Sequence, residues 1–166
     1  MQNNSRKLES ACARHGRSSS VTSLRRPVSV LVVVYTDDAK VLLLRRRSPF
    51  EFWQSVTGSL DAHELPCDAA RRELNEETGL IEQGELVDTG ISREFTIDPR
   101  WRDRYPAGVT RNTEHEWRYR LPTVMGIQIN QDEHSAYCWM PIDAAIDAVW
   151  SWTNKEALQN LQTHVQ

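Results

Sequence analysis

Gly58-Ser59-Leu60-Asp61-Ala62-His63-Glu64-Leu65-Pro66-Cys67-Asp68-Ala69-Ala70-Arg71-Arg72-Glu73-Leu74-Asn75-Glu76-Glu77-Thr78-Gly79-Leu80 is the stretch on which the fold and chemistry of this chain turn. It is a glycine-hinged loop running into a helix that stops at a second glycine. Pro66 suits the first helical turn, where its missing N–H costs little. Gly79 suits the position just past the last turn, where the backbone goes left-handed. Good helix formers lie between, with no β-branched residue before Thr78. Helical spacing brings Glu73, Glu76 and Glu77 within an arc of roughly 100°. Carboxylates so close repel, and one arginine relieves the repulsion only in part. A hard divalent cation such as Mg²⁺ resolves it, because it takes oxygen ligands and is commonly shared between carboxylates and phosphates. Glu64, on the preceding loop, approaches from a second direction, and Arg72 can grip a carboxylate with a two-pronged fork. An arbitrary E-x-x-E-E is usually a solvated acidic helix face; what surrounds this one argues otherwise.

Outward from that stretch, the whole chain sets bounds. Its 166 residues suit one domain with a real core. A net charge of −3 and a pI near 6.0 give no electrostatic case for nucleic acid as a partner. The longest apolar run, Val30 to Tyr35, is strand-sized and far too short to span a bilayer. Cys12, Cys67 and Cys138 are scattered and odd in number, which suits a reduced, cytoplasmic protein. Residues 1–25 are rich in Ser, Arg and Asn, with Glu9 as the one acid and no apolar periodicity. They read as a disordered extension before a folded domain at 26–166. Their composition also fits a transit peptide, though a dispensable extension or a misplaced start codon is the preferred account. The six tryptophans suggest a core plus a ring-stacking pocket.

Val28 to Tyr35 is a nearly continuous β-branched run, as a strand covered on both faces requires. A turn at Thr36–Ala39 leads to a partner strand from Lys40 to Leu44, which ends in Arg45-Arg46-Arg47. Three adjacent arginines read either as a solvated edge or as a polyphosphate contact. Phe50 to Val56 reads as one short strand entering Gly58. Gly84 to Ile97 alternates as a long strand, and Asp98 to Asn112 reads as a long, arginine-rich loop. His115 to Leu121 alternates cleanly, Ser135 to Met140 is a strand, and helices open at Pro141-Ile142-Asp143 and Trp152-Thr153-Asn154. Strands flanking a helix, followed by closing helices, suggest an α/β (α+β) sandwich with a mixed sheet.

Residues 58–80 read G-x5-E-x7-R-E-U-x-E-E-x-G-U, with U apolar and every fixed position filled. The segment resembles the Nudix box, the signature of hydrolases that cleave a diphosphate linked to another moiety. The resemblance implies an α-β-α sandwich around a mixed β-sheet and Mg²⁺-dependent attack of water on phosphorus, with Mn²⁺ as a possible substitute. It assigns Glu76 and Glu77 as principal metal ligands, with Glu73 sharing the metal or polarising water, and it makes the Gly58 carbonyl a ligand. Glu64 becomes an orienting partner for Arg72. A general base outside the box is expected, and Glu133 is the candidate for that and for the metal site, although spacing alone equally allows a water-facing loop carboxylate. His134 beside it stays ambiguous. Asp61 and His63 occupy variable box positions and read as solvent-facing.

Four further segments extend the likeness: R-R-P-V-S (25–29), F-W-Q-S-V-T-G-S (52–59), R-Y-P-A-G-V-T-R-N-T-E (104–114) and S-W-T-N-K-E-A (151–157). They are similar to the bacterial Nudix enzymes that remove pyrophosphate from 7,8-dihydroneopterin triphosphate in folate synthesis, often labelled dATP pyrophosphohydrolases. The implied partner is a small pterin or nucleoside triphosphate, with no membrane and no nucleic acid. Trp53 and Gln54 are the candidate ring contacts, with Phe52, or either aromatic, as the alternative core filler. Arg26, Arg46, Arg104 and Arg111 are candidates for the triphosphate, the arginine-rich loop equally suiting a contact with another subunit. A housecleaning (d)NTP hydrolase, a dinucleoside polyphosphate or RNA-cap hydrolase, and a non-catalytic ligand sensor are the alternatives; the last is disfavoured because all four box glutamates are kept. One departure is local: Leu60-Asp61-Ala62-His63 stands where such enzymes tend to carry an acidic, glycine-containing loop.

Overall fold

The structure, a computed structural model, describes residues 24–165. The expected disordered extension therefore lies almost wholly outside the described residues, as does Cys12. Seven strands form one mixed sheet. β1 (Val28–Thr36) runs parallel to β6 (Arg111–Leu121) and antiparallel to β4 (Val56–Ser59). β2 (Lys40–Arg46) pairs antiparallel with β3 (Phe52–Gln54) and with β7 (His134–Pro141), and β5 (Glu85–Thr96) closes the far edge against β6.

β1 is apolar because it is covered twice. Val30, Val32 and Val34 meet α1 (Pro66–Thr78), while Leu31 and Val33 meet α2 (Ile142–Ala148) and α3 (Trp152–Val165). Each of these five side chains is at most 2% exposed. At about 1.5–3 kcal/mol for a fully buried aliphatic side chain, this strand outweighs any single polar contact in the fold. The expected α/β sandwich with a mixed sheet is therefore the observed architecture, and α1 ends as the sequence indicates, with Gly79 at φ 73.

Two expectations need correction. Residues 50–56 are not one strand: the run breaks at Ser55, so β3 follows β2 while β4 follows β1. Asn154 of α3 holds the break, accepting from the Ser55 N–H (2.8 Å) and donating to the Ser55 hydroxyl (2.9 Å). Nor is 98–112 all loop. The Asp98 carboxylate accepts from the Arg100 N–H and caps a 3-10 helix (Pro99–Arg104), and β6 already begins at Arg111.

Candidate active site

α1 carries its acids against the end of β4. Glu73 and Glu77 are buried, Glu76 is half exposed, and a methyl group added at Gly58 would lie 1.8 Å from Glu73 Oε1. Gly58 is glycine because the Glu73 carboxylate occupies the space a side chain would take. Burial first, then the charge of Glu77, pushes the Glu73 carboxyl up to about 7, with Arg72 opposing. Burial likewise raises Glu77, whose Oε2 accepts from the Thr57 N–H at 3.3 Å.

Arg72 organises this acidic group. Its Nε and one terminal nitrogen grip both oxygens of Glu64 at 2.8 Å each, and the same nitrogen donates to the Ser59 carbonyl (3.0 Å). The other terminal nitrogen reaches Glu73 Oε1 (2.7 Å) and Glu76 Oε2 (3.3 Å). The Arg72 hydrogen bond holds Glu64 below the usual carboxylate range. Arg72→Lys keeps the charge but loses the fork. It is expected to cut kcat about 10- to 100-fold, through a mispositioned Glu73, with little change in KM; steady-state kinetics measure it.

His134, ambiguous in the sequence, is fully buried at the start of β7, with Nε2 3.2 Å from Glu77 Oε1. Glu77, Glu133 and His134 each offer a ligand atom, all within 4.8 Å of one another. Glu77 Oε1 and His134 Nε2 have no partner beyond each other, and His134 Nδ1 has none. Buried, unpaired acceptors beside acids that repel each other suit a divalent cation. Glu133 also pairs with Arg46 at 3.1 Å.

A cavity of about 440 Å³ opens on the α3 side of the sheet and reaches this group through Thr57, Gly58 and Ser59. Phe52, Trp101 and Trp150 wall its outer end, with ring centroids 5.2–6.2 Å apart. Glu114 and Asn112 of β6, Gln54 of β3 and Arg46, beside Glu133, also line it.

A buried carboxylate cluster fed by an aromatic cavity, on an α/β/α sandwich, gives the comparisons a site to refer to. The NUDIX domain profile matches residues 25–161. The chain belongs to the NUDIX family. It is 45% identical over 139 residues to the dihydroneopterin triphosphate diphosphatase of Escherichia coli K12, covering 81% of this chain and 91% of that one. The enzyme of the same name from Haemophilus influenzae is 37% identical, over 79% of this chain and 84% of that one. The solved structure of the E. coli dihydroneopterin triphosphate pyrophosphohydrolase superposes with a TM-score of 0.78 at 42% identity, over 82% of this chain and 95% of that one.

This Nudix hydrolase departs in several places from what its sequence suggests. Trp53 is not a cavity residue: it packs with the α2–α3 core, as the sequence allows of either aromatic, while Phe52 lines the cavity. Arg26 donates to the Asp61 carbonyl (2.7 Å) and holds the Nudix loop in place. Arg111 pairs with Glu94 on the exposed edge of β5. Arg104 lies among Arg25 and Arg46 but does not line the cavity, whereas Arg25 does. Of the arginine triplet only Arg46 lines the cavity; Arg45 pairs with Glu51, and Arg47 donates to the His134 carbonyl. In the altered loop, His63 takes φ 64 without being glycine, at a cost of about 1 kcal/mol. Among the described residues no helix is long and apolar enough to cross a membrane.

Proposed function

We propose that this Nudix hydrolase converts 7,8-dihydroneopterin triphosphate and water into the monophosphate and pyrophosphate, with dATP as a secondary substrate. The observation that carries the reading is the continuity of an aromatic cavity with the Arg72-organised glutamates. One cleft can take a flat ring at one end and a triphosphate at the other. Identity of 45% to the E. coli diphosphatase of that name supports the same substrate. Water oxygen bonds to phosphorus, the bridging P–O bond breaks, and pyrophosphate leaves with its electron pair. Glu133 takes the proton from water. Arg46, beside Glu133, and Arg25, which also lines the cavity, bind the phosphate oxygens, so their positive charge acts where negative charge accumulates.

Glu73, Glu76, Glu77, Glu133 and the Gly58 carbonyl would hold Mg²⁺, with His134 beside them. The ion would supply charge neutralisation at the phosphoryl oxygens. Residues 26–166 form the catalytic domain in this reading, 1–25 are dispensable, and the site of action is cytoplasmic, in keeping with the free Cys67 and Cys138.

Pyrophosphate release from the pterin triphosphate and from each dNTP, with Mg²⁺ and with EDTA, tests the reading. The pterin is expected to be turned over faster than the average dNTP, and EDTA to stop turnover. A pterin rate no better than that average defeats the substrate assignment. Undiminished turnover in EDTA defeats the metal.

A further inference from the structure

Three polar atoms in the cavity have no partner, although their side chains are more than nine-tenths buried. They are Glu114 Oε1 (residue 6% exposed), Asn112 Oδ1 (1%) and Gln54 Nε2 (8%). None belongs to the glutamate cluster of α1. A buried polar group without a partner destabilises the fold, and a charged one does so more. Three lining one cavity make a strong case that something else completes them when the cavity fills.

Their positions are enforced. Asn112 and Glu114 alternate on one face of β6, and Asn112 Nδ2 is tied to the Ser29 hydroxyl at 2.7 Å, which leaves its carbonyl oxygen free. The Arg93 guanidinium, directly across the β5–β6 ladder from Glu114, pairs with Glu116 (2.8 Å) and Glu156 (3.2 Å); its charge favours the Glu114 carboxylate, but Glu114 Oε1 keeps no hydrogen-bond partner. The Thr153 hydroxyl assists Glu114, but burial still pushes its carboxyl up to about 7. What stays unmet is Oε1, on a residue that lines the aromatic-walled cavity.

The unmet set is two acceptors and one donor. A ring edge that complements it presents two donors and one acceptor. The 2-amino-4-oxo edge of a pterin does so, with its ring N–H, its amino group and its carbonyl oxygen, and guanine carries the same edge. Adenine presents one donor and one acceptor and leaves a buried oxygen unpaired. We propose that Glu114 is the specificity residue of this site, its Oε1 accepting from the ring N–H of a 2-amino-4-oxo heterocycle, with Asn112 accepting from the amino group and Gln54 donating to the ring carbonyl. The proposal rests on the substrate reading above only for the choice of pterin over guanine.

The test compares wild type with Glu114→Gln and Gln54→Leu in two assays. One is binding of unphosphorylated neopterin, guanosine and adenosine, followed by quenching of the cavity tryptophans. The other is kcat/KM for the pterin triphosphate, dGTP and dATP. Glu114→Gln is expected to weaken neopterin and guanosine about 10- to 100-fold, raise KM for their triphosphates to match, and leave kcat and the adenine ligands within about threefold. Gln54→Leu is expected to weaken the same two ligands, by about 5- to 10-fold. Equal losses on adenine and pterin ligands, or no loss on pterin, overturn the proposal. Should Glu114→Gln fail to fold, Gln54→Leu decides by the same criterion. If wild type prefers dGTP to the pterin, the substrate reading fails while the guanine-to-adenine ratio still decides the role of Glu114.

Discussion

Glu77→Gln is expected to reduce kcat by about 10³-fold while leaving the protein folded, the largest single-site effect this structure implies. The argument runs through burial. Glu77 is 1% exposed, and the substitution keeps its shape and its Thr57 contact while removing the charge. Burial already disfavours the ionised form, so a neutral amide is no harder to bury than the carboxylate. Thermal denaturation should therefore show a Tm equal to or above that of wild type. Loss of turnover with an undiminished Tm separates a chemical role from a structural one. Activity within tenfold of wild type would remove Glu77 from the metal site, and with it the assignment of α1 as the catalytic helix.

How much of this was legible in advance depends on which physical signal each element carries. The Nudix helix was readable because its ends are marked by Pro66 and Gly79 and its acids fall at helical spacing. β1 was readable because both its faces are buried, which requires an unbroken apolar run. Ser55 carries no such mark. The break there is imposed by Asn154, ninety-nine residues away, and local pattern does not report a long-range amide clamp.

The ring contacts show a different failure. Trp53 and Gln54 are neighbours on one strand, so period-two geometry sends their side chains to opposite faces. Alternation allows Phe52 with Gln54 as a pair on one face, and these are the two that line the cavity. Glu114, Asn112, Trp152 and Thr153 lay inside the segments 104–114 and 151–157 that carried the wider resemblance, yet no role attached to them. All four segments beyond the core of the box supply cavity residues: Arg25 and Ser29, Phe52 and Gln54, Asn112 and Glu114, Thr153 and Asn154. Likeness at distant segments was thus a statement about one place in space, which only the fold could assemble. His134 escaped for a related reason, since a loop histidine gives no sign that it is fully buried against a glutamate.

Gly58→Ala isolates the geometric demand at the other end of the cluster, and is expected to cost about 10²-fold in kcat. The backbone carbonyl survives the substitution, so a ligand role for that oxygen is not what the variant removes. The added methyl meets the Glu73 carboxylate itself, at 1.8 Å from Oε1, 1.9 Å from Cδ and 2.4 Å from Oε2. Because that is the far end of a flexible side chain, the conflict is relieved by swinging Glu73 away from Arg72 rather than by moving β4, and the fold should persist. Gly126→Ala, where an added methyl meets nothing within 4 Å, is the matched control and should keep full activity. The decisive comparison is the double variant with Glu73→Gln. If Gly58→Ala acts by displacing Glu73, the double is no slower than the slower single, since the same group cannot be removed twice. Losses that multiply would show that Gly58 acts independently of Glu73, and the packing of that carboxylate against the glycine would then lose its part in catalysis.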